Sequence, residues 1–193
     1  MAIKTKKAIL NTFQEMLEEM PFDKITVTEL TKRAEISHNT FYYHYEDIYE
    51  LLRDWLQQVL QPYFAAADSI EAWEDVTKRV LRLAAGHPRI VYHLLNSLSR
   101  EQMENYFFQR TEDIFHETIL ARADANSLTE KQIGEIADFC RYAYLGFLLR
   151  FVWNRMNADV DKTVSDLSRL FEIFIDNAIR DTAQQNLGSS SKM

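Results

Sequence analysis

Chain breakers are scarce in this sequence. Four glycines and three prolines fall among 193 residues, too few for short strands joined by tight turns. Helices with few interruptions are therefore expected. Cys140 is the single cysteine, which excludes an intrachain disulfide and a cysteine-based zinc site. A lone thiol in an apolar helix reads as packing. No apolar run approaches about 18 residues and no charged-then-apolar leader opens the chain, so no membrane span or export signal is expected, and a cytoplasmic location is. An excess of basic charge is also missing. Lys and Arg number 22 against 29 Asp and Glu, a net of −7, so any nucleic-acid contact must rest on a local surface. No G-x-S-x-G, glycine-rich phosphate loop or cysteine motif occurs, and no H-x-x-x-H pair forms among the histidines. Neither an enzyme nor a metal or other cofactor is expected.

What is present is helical rhythm. Ile9, Phe13, Met16, Leu17 and Met20 stand at i, i+4, i+7, i+8 and i+11, one face of a helix that Pro21 ends. "TVTE" at 26–29 has the form of a capping box, with Thr26 as cap and Glu29 reaching back. Ser37 can cap a further short helix holding "HNTFYYHY", and Asp47 can open a fourth carrying Leu51, Leu52, Trp55 and Leu56. Longer helices are expected at about 71–85, 88–98, 100–123, from 127–130 to about 156, and 160–182. Residues 183–193, "AQQNLGSSSKM", are polar and small, and read as a disordered tail.

Two short helices joined by a tight turn, preceded by a supporting helix, make a helix-turn-helix. Leu30, Ala34, Ile36, Phe41 and Tyr45 are spaced to meet inside it, and at least one of Tyr42 and Tyr43 must face outward. His38, Asn39 and Thr40 fill the first turn of the second short helix. A recognition helix presents that turn to base edges in the major groove. His38 and Asn39 are expected to read bases, and Lys24, Thr26, Tyr42 and His44 to touch the backbone. Thr28, Ser37, Thr40 and Tyr43 complete the candidate DNA-binding set.

"FDKITVTEL" at 22–30, "AEISHNTFYYHY" at 34–45 and "LL" at 51–52 resemble the N-terminal DNA-binding domain of the TetR/AcrR family of bacterial transcriptional regulators. The resemblance covers residues 8–60; beyond it only the long helices and "GFLLRFVW" at 146–153 are similar. It implies an all-α fold: a three-helix head at 1–46 and a helical effector-binding and dimerisation domain at 47–182, of which 47–62 is the connecting helix. It further implies a homodimer on a palindromic operator of double-stranded DNA, a small-molecule effector, and most simply a repressor released by that effector.

This chain departs from the family pattern at three places. Glu35 and Asn39 stand where glycines are common, and Ile48 replaces a lysine that meets a phosphate. Residues 1–60 hold seven basic side chains against ten acids, with Lys4, Lys6, Lys7, Lys24 and Lys32 as the usable positives. An alternative follows from these departures: a TetR-fold coactivator or partner-binding protein with weakened DNA contacts. In the aromatic-rich second half, His93, Asn96, Arg141 and Arg150 are the polar candidates for an effector site. The last two helices carry more apolar surface than one chain can hide and are expected to pair with a second copy. Gly146 is expected to allow close helix approach.

Overall fold

The computed structural model describes residues 2–64, 72–123 and 127–190. Among them every regular element is helical: α1 (Ala2–Glu19), a 3-10 turn (Phe22–Lys24), α2 (Val27–Arg33), α3 (His38–His44), α4 (Ile48–Phe64), α5 (Ala72–Gly86), α6 (Pro88–Leu95), α7 (Arg100–Arg122), α8 (Glu130–Trp153) and α9 (Val160–Ser190). Pro62 sits in the last turn of α4 and, having no N–H, cannot donate to the Gln58 carbonyl one turn back. The chain forms two compact units, one of residues 1–66 and 82–100, the other of 67–81 and 101–193.

The first unit closes around Ile9, Phe13, Met16 and Leu17 of α1, Phe22, Leu30 of α2, Phe41 of α3, and Leu51, Leu52 and Trp55 of α4. Burying an aliphatic or aromatic side chain is worth about 1.5–3 kcal/mol, so this core is what holds α2 and α3 in place. Phe13 meets Phe22 and Trp55 edge to face, with centroids 6.2 and 6.1 Å away. The compact units thus divide the chain elsewhere than at residue 46: α4 packs with the head because Leu51, Leu52 and Trp55 complete its core. α6 belongs there too. Its Ile90 and Leu94 are buried, His93 Nδ1 lies 2.7 Å from the Leu17 carbonyl, His87 Nδ1 lies 3.1 Å from Glu18, and Ser97 donates to Asp23 at 3.2 Å.

The second unit buries Phe115 and Ile119 of α7, Ile133, Ile136, Ala137 and Cys140 of α8, and Phe171, Ile175 and Ile179 of α9. Burial pushes the Cys140 thiol up to about 12, as expected for a packing residue. Thr129 opens α8 with a complete capping box, its hydroxyl accepting from Gln132 N while Gln132 accepts from Thr129 N. α8 stops at Trp153 rather than near 156. Arg155 and Met156 have φ of 57 and 54, and their N–H groups return to Val152 and Phe151, which closes the helix.

The expected disordered tail is corrected over 183–190: α9 continues through Ser190. Asn186 supplies the reason, donating to the Ser127 carbonyl at 2.9 Å and accepting from Gln132 at 3.0 Å. Residues 191–193 lie outside the described residues. Among the described residues Gly146 does not serve helix approach, since a Cβ there would meet nothing within 4 Å.

Candidate nucleic-acid interface

The site is built on α2 and α3. Thr26 caps α2 by accepting from Glu29 N at 3.2 Å. The box is only half formed, because the Glu29 carboxylate turns to Arg33 at 3.1 Å. Arg33 also reaches Glu19 at 2.5 Å, so its charge is spent between α1 and α2. α2 ends in a Schellman turn. Glu35 N donates to Lys32 O at 3.3 Å and Ile36 N to Thr31 O at 3.0 Å, with Glu35 at φ 53. Glycine is the usual residue at such a position because a Cβ is strained there. Ser37 then caps α3, accepting from Thr40 N at 3.1 Å, and its hydroxyl lies 2.8 Å from that of Thr40.

Phe41 and Tyr45 point inward, at 0 and 3 % exposure. Tyr42 and Tyr43 point outward, at 57 and 79 %. Asn39, Tyr42 and Tyr43 follow i, i+3, i+4 spacing and share that outer face. His38 and Asn39 are exposed at its N-terminal end, and Thr40 is half-buried. Lys24, Thr26 and Thr28 are exposed on or beside α2, with Lys24 Nζ 3.4 Å from Asp23. His44 is half-buried, its ring edge-on to Tyr43 with centroids 5.1 Å apart. All ten candidate residues therefore lie in the α2–α3 segment and its flanks.

Lys6 is not a usable positive. It pairs with Asp54 at 3.0 Å and lies 5.7 Å from the Tyr45 ring centroid. Asp54 also accepts from the Tyr45 hydroxyl at 2.6 Å and from Gln58 at 3.2 Å. Burial works to raise the Asp54 carboxyl, but these donors outweigh it and hold the group below the ordinary carboxylate range. Burial, then Asp54 itself, pushes the Tyr45 phenol well up. This cluster ties α1, the end of α3 and α4 together, and sequence reasoning missed it. The available signal was a core tyrosine whose hydroxyl needed a partner; nothing local said which. At the start of α4, Asp47 accepts from Glu50 N at 2.7 Å and Glu50 from Glu46 N at 2.5 Å. Ile48, half-buried, begins the helix behind these acids.

The four effector candidates divide between the two units. His93 and Asn96 lie in the first unit and Arg141 and Arg150 in the second. His93 is engaged with α1, as above. Arg141 pairs with Asp138. The second unit has a narrow crevice lined by Trp73, Phe115, Thr118, Ser168 and Phe171 among others, and none of the four lines it. Beside it Tyr144 shares a 2.6 Å hydrogen bond with Thr77; burial pushes this phenol up to about 12 against a smaller pull from Thr77. Among the described residues no group of three His, Cys, Asp or Glu is placed to hold a metal, and no helix is long and apolar enough to cross a membrane.

The described residues hold a helix-turn-helix on an otherwise all-helical frame, the architecture of a helical DNA-binding class. Residues 71–173 match a family model described as the C-terminal region of transcriptional regulators of the TetR type. The chain belongs to the TetR/AcrR family of transcriptional regulators, and is a regulator rather than an enzyme. Three solved structures share its fold. The dihydroxyacetone kinase operon activator DhaS superposes with a TM-score of 0.61 at 19 % identity, over 90 % of this chain and 97 % of its own. NalD, the secondary repressor of the MexAB-OprM multidrug efflux pump in Pseudomonas aeruginosa, gives 0.61 at 16 % identity over 90 and 98 %. A transcriptional regulator from Aquifex aeolicus VF5 gives 0.53 at 19 % over 88 and 98 %. No curated protein matches significantly in sequence.

Proposed function

We propose that the chain is a dimeric, ligand-responsive regulator that reads a palindromic operator with α3 and represses transcription there. The observation that carries this reading is the division of the four α3 aromatics. Phe41 and Tyr45 fill the head core, while Tyr42 and Tyr43 stand outside beside His38 and Asn39. Two large exposed rings next to a polar tip suit a groove: Asn pairs with adenine and tyrosine hydroxyls reach phosphates. His38 and Asn39 read bases; Lys24, Thr26, Tyr42 and His44 touch the backbone; Thr28, Ser37, Thr40 and Tyr43 flank them.

Dimerisation is supported by an apolar strip left open on the second unit. On α8, Phe139, Tyr142 and Trp153 are 57, 53 and 73 % exposed. They share a face with Gly146, where a neighbouring helix has room to approach. On α9, Leu170 and Ile173 are exposed, and Phe174 stacks on Phe139 with centroids 4.5 Å apart. Pairing α8 and α9 with a second copy covers this strip. An effector would act through its differential affinity for two states of the dimer.

The second reading, a regulator that works through a protein partner with weakened DNA contacts, is favoured by the acids Glu46 and Asp47 ahead of Ile48 and by the loss of Lys6 to Asp54. Selection from randomised duplexes tests the choice. The first reading predicts two inverted half-sites about one helical turn apart, degraded at a single position per half-site by Asn39→Ala. Selection that enriches no sequence favours the partner reading.

A further inference from the structure

Thr28 and His38 are joined across the helix-turn-helix. Thr28 Oγ1 lies 3.3 Å from His38 Nε2. Thr28 is on the first turn of α2 and His38 is the first residue of α3. Both are exposed, so core packing does not account for the pair. The Schellman turn at Glu35 brings them together from ten positions apart. The Thr28 carbonyl is engaged separately, by the Thr31 hydroxyl at 3.1 Å. Unlike Ser37 and Thr26, whose hydroxyls cap helices, Thr28 has its hydroxyl on a side chain that stands at the reading end of α3.

We infer that Thr28 is a positioning residue for base reading, holding the His38 ring by Nε2 so that Nδ1 is the edge presented to DNA. This rests on α3 being the DNA-reading helix. A neutral imidazole carries one donor and one acceptor nitrogen, and a hydroxyl can serve either. Thr28 can therefore keep its bond in both tautomers while the ring stays in one orientation. A ring fixed in orientation offers Nδ1 at one place, and when the Thr28 hydroxyl donates to Nε2 the proton sits on Nδ1, which then selects a base edge with an acceptor there. A ring free to turn offers either nitrogen, and discriminates less. A single well-placed hydrogen bond to a base edge gives about five- to tenfold preference.

Duplex selection followed by binding titrations on the full chain tests this. Thr28→Val keeps the branched shape and removes the hydroxyl. It should reduce the preference at the His38 base pair from about five- to tenfold to less than about twofold. Non-specific affinity and the salt slope are read in the same titrations, and a shallower salt slope in Thr28→Val would mean that Thr28 itself meets a phosphate and would overturn the inference. Thr28→Ser should retain the preference. In a His38→Ala background, Thr28→Val should have no further effect. An equal loss of preference with and without His38 would mean that Thr28 touches DNA itself, and would overturn the inference. Selection that succeeds with wild type and shows undiminished discrimination in Thr28→Val would also overturn it while leaving DNA reading intact. Failure of wild type to select any sequence would instead remove the DNA-reading role, and the inference with it.

Discussion

Glu35 holds a left-handed backbone conformation in the head, and Glu35→Gly should stabilise it. The position is left-handed at φ 53, where a Cβ costs about 1–2 kcal/mol. Glycine returns part of that by giving the unfolded chain more freedom, about 0.4–1 kcal/mol. The net expected gain is about 0.5–1 kcal/mol, or about two- to fivefold in the opening equilibrium. Glu35 is exposed, and the two turn hydrogen bonds come from backbone N–H groups, so the substitution removes no cap. Hydrogen exchange of peptides covering α2 and α3 reads the effect locally, free of unfolding in the second unit. Glu35→Gln separates charge from strain, since it drops the carboxylate and keeps the Cβ. Glu35→Asn should fall between Gln and Gly, because Asn tolerates this conformation better than most residues. Protection should rise in the order Gln, Asn, Gly. Equal protection in Glu35→Gly and Glu35→Gln would refute the strain as a measurable cost.

Three further outcomes follow from the geometry. Asp54 has its carboxyl held below the ordinary range by Tyr45 and Lys6, so its contribution is present above the unfolded pKa near 4 and is lost as pH falls through the lower folded value; acid unfolding of the head should flatten in Asp54→Asn, and an unchanged acid limb would count against the cluster. Ile48→Lys should raise affinity for every DNA and steepen the salt slope by about one unit per subunit, because one phosphate contact releases about 0.9 counterions; titrations at several salt concentrations read it directly. Ile173→Glu should give monomers in sedimentation, since the residue is exposed on the strip assigned to pairing, whereas Phe171→Glu should unfold the chain because Phe171 is core.

Much of the fold was legible because its signals are local. The 3.6-residue stripe of Ile9, Phe13, Met16 and Leu17, the caps at Thr26, Ser37 and Asp47, and the i, i+4 pair Phe41 and Tyr45 each concern neighbours within about one or two helical turns. What escaped depends on distant partners. His93 and Leu17 are 76 positions apart, and no periodicity near either says that α6 docks on the head. Lys6 read as a free cation because Asp54 lies 48 residues on. The helical extension to Ser190 depends on Asn186 finding Ser127 and Gln132, across 59 and 54 positions. The rotation of α9 was ambiguous for another reason: its stripe is apolar on more than one face, so only packing shows that Phe171 lies inside and Leu170 and Ile173 outside.

Every role proposed for the head depends on the outer face of α3 reading DNA. Its most direct measurement is the ratio of affinities for a selected palindromic duplex and a scrambled duplex of the same length, near physiological salt, with stoichiometry determined in the same titration. Binding to the palindrome should be tighter by at least about a thousandfold, with two chains per duplex. Equal affinities for the two duplexes would contradict it.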